Sequence, residues 1–203
     1  MKKVIFGILG VVLAALIIVL VISVMNNKKP TETVVEEAKQ VDNIDKYGYI
    51  LFDNKSKLYH DKFKELKEIL NEETLDETKY AKIVAEMFAA DFYDLDSKVS
   101  NTDIGGLDFV HPDAKEDFSK TATDTMYKYV ETNVYGARKQ ELPVVKDVVA
   151  TVTTTPYAGQ KVSDEKAYSA EVSLEYEKDM GYPTKVTLSI VHVDNKLYVV
   201  NVK

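Results

Sequence analysis

Proton transfer is the chemistry for which this chain has the most suitable side chains. Asp91, Tyr93 and Asp94 stand close together in the sequence, and Tyr129 and His192 offer a further hydroxyl and an imidazole. A carboxylate that is buried beside tyrosine hydroxyls has a raised pKa and can act as a base or an acid. If these side chains face one apolar pocket, they form a candidate catalytic or ligand-binding site.

A structural role for the same side chains competes with this interpretation. Asp91 and Asp94 are three residues apart, so they lie side by side on one helix edge, next to polar surface. That position is typical of residues that end a helix, and His192 comes just before a turn. Because acids of this kind mark function only in some proteins, we favour the structural role and predict no catalytic residue.

Other site chemistries find little support in the sequence. The chain has no cysteine, which excludes thiol catalysis, disulfides and cysteine-ligated zinc or iron–sulfur sites. The histidines lack the i, i+4 spacing of a metalloprotease helix, and no serine lies in a nucleophile elbow. Asp94 and Asp96 resemble the start of a calcium loop, but Lys98 occupies the next ligand position. We therefore predict neither a metal nor another cofactor.

Tyrosine is frequent in this chain, with 13 copies against seven phenylalanines. Its rigid ring and polar tip suit both pocket linings and protein interfaces. On the predicted sheet, the tyrosines that would contact a partner are Tyr168, Tyr176 and Tyr198. The same residues also suit the half-wet face of an open sheet, and this alternative stays open.

Helical periodicity predicts three helices in the middle of the chain. The first begins after an N-cap at Ser56 and has apolar positions at helical intervals up to Leu70. The second begins at Asp76 and is apolar around more of its circumference, so it should be the more buried. The third begins at His111, and its predicted buried face comprises Phe118, Ala122, Met126, Tyr129 and Val130.

After Gly136 the hydrophobic period changes to two, which indicates strands. The clearest alternation runs from Tyr168 to Tyr176, and further strands are predicted over 144–155, 186–193 and 197–202. Asp194 and Asn195 predict a tight hairpin between the last two. Three helices followed by about four strands predict an α+β domain over 47–203, with the helices packed on one face of a curved antiparallel sheet.

A membrane segment precedes this domain. Residues 4–25 carry no charge and are long enough to span a hydrocarbon core of about 30 Å. Because the stretch is longer than the apolar region of a signal peptide and lacks a small-residue cleavage site, we predict an uncleaved single-pass transmembrane helix. Residues 1–3 then form a cytoplasmic tail, and residues 26–46 form a juxtamembrane linker that is either a short helix or a flexible spacer.

The orientation of the anchor follows from the size of its two flanks. Lysines flank both ends, but a three-residue cationic tail is hard to export, whereas a large domain is exported routinely. We therefore predict a cell-membrane protein with a cytoplasmic N terminus and an extracytoplasmic C-terminal domain. Residues 31–203 carry 22 basic and 33 acidic side chains, a net charge of −11, and so acidic a surface argues against nucleic-acid binding.

Four stretches carry a resemblance to known proteins: KLYHDKFKELKEIL at 57–70, DFYDL at 91–95, DIGGLDFV at 103–110 and MYKYVE at 126–131. Here the chain resembles a group of single-pass membrane proteins of Gram-positive bacteria. Together with the element order, the resemblance implies an exported domain of the cone-shaped nuclear transport factor 2-like fold. Enzymes of that fold hold Asp, His and Tyr inside the cone. The inner-membrane assembly subunit of type IV secretion systems is similar in plan.

Two functions follow from the sequence. We favour a non-enzymatic adaptor or assembly domain, held at the membrane by residues 4–25, that binds a protein partner or a second copy of itself. The alternative is a domain that binds or transforms a small apolar molecule in the cone pocket. An adaptor would use its outer sheet face, and a pocket protein would use inward-facing tyrosines and aspartates.

Overall fold

The computed structural model describes residues 38–203. The predicted tail and transmembrane helix, and the linker before Ala38, lie outside the described residues. Within 38–203, no helix is both long enough and apolar enough to cross a membrane.

Two strands, three helices and six further strands follow one another in the described part of the chain, together with short 3-10 turns. Their bounds are β1 (Gln40–Ile44), β2 (Tyr49–Phe52), α1 (Lys57–Leu70), α2 (Glu77–Phe92), α3 (Lys115–Asp124), β3 (Val145–Thr154), β4 (Tyr157–Ala158), β5 (Ser163–Asp164), β6 (Tyr168–Tyr176), β7 (Lys185–Val193) and β8 (Lys196–Val202). Strands β3, β6, β7 and β8 form a four-stranded antiparallel sheet in that order, and β1–β2 and β4–β5 are separate hairpins. The predicted α+β class is confirmed.

The first two helices begin where the sequence predicts. The hydroxyl of Ser56 accepts the amide hydrogen of Tyr59, and a carboxylate oxygen of Asp76 accepts those of Thr78 and Lys79. Both are N-cap interactions that satisfy otherwise unpaired helix donors. Helix α1 buries one face, whereas every residue of α2 from 83 to 92 is buried. Helix α2 is therefore the central helix, and it packs across β3 and β6.

The third helix is shorter than predicted. After a 3-10 turn at Pro112–Ala114, helix α3 ends at Asp124 rather than continuing to Val130. Beyond Asp124 the 3.6-residue period no longer decides which side chains face inward. As a result Tyr129 is 75% exposed, and Tyr127, which the prediction left outside the buried face, is fully buried.

The folded part begins earlier than predicted. Gln40–Ile44, which we had assigned to a helical or flexible linker, form β1 and pair with β2. Side chains of this hairpin, among them Ile44, Tyr49 and Leu51, are buried in the core. Five residues are too few to show a periodicity, and the pairing depends on a partner strand further along the chain.

The sheet has one buried and one polar face. In β6 the alternation is as predicted, with Tyr168, Ala170, Val172 and Leu174 buried and the glutamates between them exposed. The hairpin between β7 and β8 turns at Asp194, which adopts a left-handed backbone with φ of 54°. The helices cover the apolar face, so the opposite face of β6 is a surface of serine and glutamate.

Large side chains fill the space between the helices and the sheet. The largest fully buried ones are Tyr80, Tyr127, Phe63, Phe88, Phe109, Leu66, Ile83, Met87, Leu95, Leu188, Ile190 and Leu197. They belong to one continuous cluster that joins all three helices, the β1–β2 hairpin and the main sheet. The interior of the described domain is therefore a packed core.

Candidate functional site

Asp91 is the centre of a buried ion cluster at the end of α2. Its Oδ1 lies 2.6 Å from Nζ of Lys98, and its Oδ2 lies 2.8 Å from Nζ of Lys55 and accepts the amide hydrogen of Gly106 at 2.8 Å. Burial raises the pKa of Asp91, but the charges and hydrogen bonds of Lys98 and Lys55 outweigh it and hold the pKa at about 2. Asp91 therefore joins three chain segments. Asp91 lies in the last turn of a helix, as predicted, but that turn is buried rather than next to polar surface.

Asp94 is also buried, but unlike Asp91 it has a carboxylate oxygen without a hydrogen-bond partner among the described residues. It is 3% exposed, and no described residue forms a hydrogen bond with its Oδ1. Burial raises its pKa to about 6, although Lys98 and the backbone N–H of Val145 act in the opposite direction. Among the aspartates of the predicted site, Asp94 is the one suited to exchange a proton near neutral pH.

Two tyrosines of the predicted pocket lie in opposite environments. Tyr93 is buried against the ring of Phe92, and burial raises its pKa to about 12. Tyr129 points away from the core and carries the ammonium of Lys128 over its ring at 5.1 Å. Tyr129 therefore does not line a pocket with Asp91 and Asp94, which corrects the prediction.

The residue that completes this part of the core is Tyr127. Its hydroxyl donates to the carbonyl oxygen of Phe92 at 2.6 Å and accepts the amide hydrogen of Gly105 at 3.0 Å. Burial raises the pKa of Tyr127 far above its usual value, so the hydroxyl stays protonated as this arrangement requires. In the sequence, the adjacent glycines Gly105 and Gly106 were a sign that another part of the chain packs closely here. The helical pattern, however, predicted that Tyr129 is buried and not Tyr127.

His192 belongs to a separate cluster. Its Nδ1 lies 2.7 Å from Oδ2 of Asp164, and its Nε2 lies 3.7 Å from Oε2 of Glu77. Glu77 begins α2, and Asp91 lies fourteen residues further along the same helix, about 21 Å away at 1.5 Å per residue. The five predicted pocket residues therefore do not form one site.

The tyrosines predicted to contact a partner are less available than expected. Tyr168 is buried, because it lies on the face of β6 that packs against the helices. Tyr176 and Tyr198 are half-buried, and the hydroxyl of Tyr176 donates to the carbonyl of Pro183 at 2.9 Å. Tyr168 is thus a core residue, and the other two present only part of their rings.

Exposed apolar side chains concentrate elsewhere, in the connection between α3 and β3. Within 38–203, six large hydrophobic side chains are exposed, and three of them are Tyr129, Val134 and Tyr135. Tyr135 is 59% exposed. We call residues 125–144 the tyrosine loop.

The tyrosine loop is held in place by hydrogen bonds at its base. The guanidinium of Arg138 donates to the carbonyl of Lys98 at 2.8 Å and to that of Asp96 at 2.6 Å. The amide hydrogen of Asn133 donates to the carbonyl of Val99 at 2.7 Å. The side chain of Gln140 bridges the two halves of the loop through Tyr129 and Glu131. The loop therefore displays its tyrosines from a fixed backbone.

A second buried acid, Glu86, was missed by the sequence analysis. It is fully buried in α2, and its carboxylate lies 2.7 Å from Nζ of both Lys62 and Lys82. It also accepts the amide hydrogen of Ala150 from β3 at 3.0 Å. In the sequence it stands four residues after Lys82, which is the usual spacing of a surface ion pair, so nothing marked it as buried.

An apolar cleft of about 420 Å³ runs between α3 and β8. The side chains lining it include Phe92, Phe118, Met126, Val200 and Val202. The buried acids of α2 do not line this cleft. Within residues 38–203 the structure has no group of three or more His, Asp or Glu side chains that could hold a metal ion.

Comparison with known proteins leaves this geometry as the main guide to function. The chain matches no protein-family model, no curated protein and no solved structure.

Proposed function

We propose that this chain is a membrane-anchored, extracytoplasmic adaptor or assembly domain that binds a protein partner through its tyrosine loop. The observation that carries the proposal is the display of Tyr129 and Tyr135 on a loop fixed by Arg138 and Gln140. Exposed tyrosines on a rigid backbone are typical of interface hot spots, because little conformational entropy is lost on binding.

The packing of the domain interior supports the same proposal, because within residues 38–203 the interior holds no open pocket with a free catalytic acid. The core between helices and sheet is filled by large apolar side chains, and Asp91 and Glu86 are each paired with two lysines. An enzyme would need an accessible base and an oxyanion donor facing one cavity. The helices on one face of an antiparallel sheet agree with the cone-shaped nuclear transport factor 2-like fold, which we retain as part of the proposal.

The cleft between α3 and β8 favours a second candidate function. Its volume of about 420 Å³ and its apolar lining suit a small apolar ligand. The alternative function would therefore use the cleft between α3 and β8 and not a pocket around Asp91 and Asp94. A ligand there would contact Phe118, Met126 and Val202, none of which belongs to the predicted pocket.

Replacing both exposed tyrosines tests the adaptor proposal. In the full-length protein, Tyr129→Ser with Tyr135→Ser should abolish a chemically cross-linked complex in the native membrane, because the aromatic contact area is lost. The circular dichroism spectrum and protein level should not change, since both rings are exposed. The matched control is Val149→Ser, an exposed apolar residue on β3. An intact complex in the double variant would contradict the proposal.

A protease added to intact cells tests the proposed location. If residues from 38 onward are outside the cell, the protease should digest the domain without lysis, while a cytoplasmic marker stays intact. Replacing both lysines of the tail, Lys2→Glu with Lys3→Glu, should weaken this orientation, because the positive charges retain the N-terminal tail in the cytoplasm. Digestion only after lysis would contradict an extracytoplasmic domain.

A further inference from the structure

The tyrosine loop and the apolar cleft between α3 and β8 are neighbours on the surface of the domain. Thr125 and Met126, the first two residues of the loop, line the cleft. Tyr129 comes three residues after Met126, so the Cα atoms of the two residues are at most about 11 Å apart. The turn between them is fixed, because the amide hydrogen of Lys128 donates to the carbonyl of Thr125 at 3.2 Å. An exposed aromatic ring and an apolar cleft therefore lie side by side.

The cleft has the size and the lining to accept a tyrosine ring. Its volume of about 420 Å³ lies in the range of about 300–1,000 Å³ that is usual for pockets enclosing a whole small molecule. Phe118 and Met126 line it from the side of α3, and Val200 and Val202 line it from β8. Methionine adapts its shape to the group that it contacts. A tyrosine side chain that enters this cleft would be buried against apolar surface from both sides.

The tyrosine loop is positively charged in an otherwise acidic domain. Residues 125–144 carry three basic and two acidic side chains, a net charge of +1, whereas residues 31–203 together carry −11. Lys128 stands beside Tyr129, and its ammonium lies over that ring at 5.1 Å from the centroid. The loop thus presents an aromatic ring and a positive charge together.

The cleft carries the opposite charge. Of the described residues that line it, only Asp117 is charged. The side chain of Asp117 is 83% exposed and lies 3.8 Å from the ammonium of Lys161, so its carboxylate is still open to a second cation. A second copy of the chain therefore supplies what each surface lacks: a tyrosine ring for the cleft and a lysine for Asp117.

We propose that the tyrosine loop of one copy of this chain docks into the cleft between α3 and β8 of a second copy, with Tyr129 in the cleft and Lys128 beside Asp117. Because loop and cleft are neighbours, a two-fold axis between them makes the contact twice and closes the assembly as a dimer. Anchoring both copies in one membrane raises their effective concentration. The dimer rests on the proposed function and names the partner of the loop.

Cysteine cross-linking tests the contact without background, because the chain has no cysteine of its own. Two differently tagged full-length copies are expressed in one membrane, the first with Lys128→Cys and the second with Asp117→Cys, and a short bismaleimide is added. We expect a covalent species that carries both tags and has the mass of two chains. The control replaces the second copy by Lys57→Cys, a site on α1 with a 93% exposed side chain. If Lys128→Cys cross-links to Asp117→Cys no better than to Lys57→Cys, the proposal is overturned.

Charge reversal gives the dimer a specific signature. In analytical ultracentrifugation of the full-length protein in detergent, Lys128→Glu and Asp117→Lys should each raise the dimer dissociation constant about fivefold or more, because like charges then meet in the contact. The double variant should return close to the wild-type value, since the pair is restored with its signs exchanged. Single variants that dimerise as wild type does, or a double variant as weak as the single ones, would overturn the proposal.

The identity of the bound partner separates this dimer from the broader proposed function. A photo-crosslinker at position 135 of the full-length chain should give an adduct that contains only this chain, with the mass of two copies. An adduct with a different protein overturns the dimer and leaves the adaptor function standing, whereas no adduct contradicts both. A monomer that carries a small molecule in native mass spectra, lost in Val202→Asp, also overturns the dimer and assigns the cleft to a ligand.

Discussion

Two acids on the central helix are each held by two lysines. Asp91 contacts Lys55 and Lys98, and Glu86 contacts Lys62 and Lys82 in the same manner. A buried charge is costly unless partners and hydrogen bonds replace its water, and here a backbone amide completes each set. Glu86 ties α2 to α1 through Lys62 and to β3 through Ala150. Asp91 ties the end of α2 to the turn before α1 through Lys55 and to the connection after α2 through Lys98 and Gly106.

Asp94 differs from these two acids, and its ionisation should lower the stability of the domain. Its pKa is about 6 in the folded protein, against an ordinary value of 3.8. Below about pH 3.8, Asp94 is protonated in both the folded and the unfolded protein. As the pH rises through this window the unfolded chain loses the proton first, so the free energy of unfolding falls, by about 3 kcal/mol at most.

Urea unfolding of wild type and Asp94→Asn between pH 4 and pH 7.5 measures this effect. The stability of wild type relative to the variant should fall up to about pH 6 and then stay constant. Asp42→Asn is the control of opposite sign, because the hydrogen bond from Lys67 lowers the pKa of Asp42. For that pair the relative stability of wild type should rise with pH mainly below the ordinary value of 3.8, so this control is measured down to about pH 2.5. If the stability difference between wild type and Asp94→Asn does not change with pH, the pKa of Asp94 is not raised by burial and this account is contradicted.

At the scale of elements, the connection from α2 to α3 is fixed by close backbone contacts. A Cβ atom at Gly105 would lie 2.1 Å from the carbonyl oxygen of Asp91 and 2.9 Å from Nζ of Lys98. The neighbouring Gly106 has a φ of 75°, a left-handed conformation that favours glycine. The segment therefore packs against the end of α2 at a distance that excludes side chains.

Gly105→Ala should destabilise the domain by about 3 kcal/mol or more, because backbone must move to admit the methyl group. In a loop free to adjust, the same change would stabilise by about 0.4–1 kcal/mol through the unfolded state. Gly48→Ala is a useful control, since it has a φ of 64° and no atom within 4 Å of the added Cβ. It should cost about 1–2 kcal/mol from backbone strain alone. Equal stability of Gly105→Ala and wild type would contradict the close contact.

Local patterns predicted the elements well and their long-range contacts poorly. The N-caps Ser56 and Asp76, the alternation in β6 and the hairpin at Asp194 all depend on near neighbours, and each is confirmed. The end of α3 depends instead on Tyr127 reaching Phe92, thirty-five residues earlier in the chain. Neither the position of Tyr127 nor the contacts of Asp91 with Lys55 and of Glu86 with Lys62 could be found from spacing, because these residues meet only through the tertiary fold.

At the scale of the whole domain, the distribution of buried and exposed apolar side chains indicates where a partner could bind. The large apolar side chains between the helices and the sheet are buried in a continuous core, and half of the exposed large hydrophobic side chains within 38–203 lie in the tyrosine loop. The outer face of β6, where the sequence analysis expected partner contacts, carries exposed glutamates instead. We therefore propose the loop between α3 and β3 as the surface that binds a partner.

Site-specific photo-crosslinking in intact cells tests this claim most directly. A benzophenone amino acid at position 135 of the full-length protein should give one discrete covalent adduct on irradiation, because a bound partner covers the loop. The adduct should disappear when Tyr129→Ser is added to the same chain. The photoreactive residue at position 149, exposed on β3, should give no such adduct. An adduct from position 149 together with none from position 135 would contradict the assignment of the partner surface to the tyrosine loop.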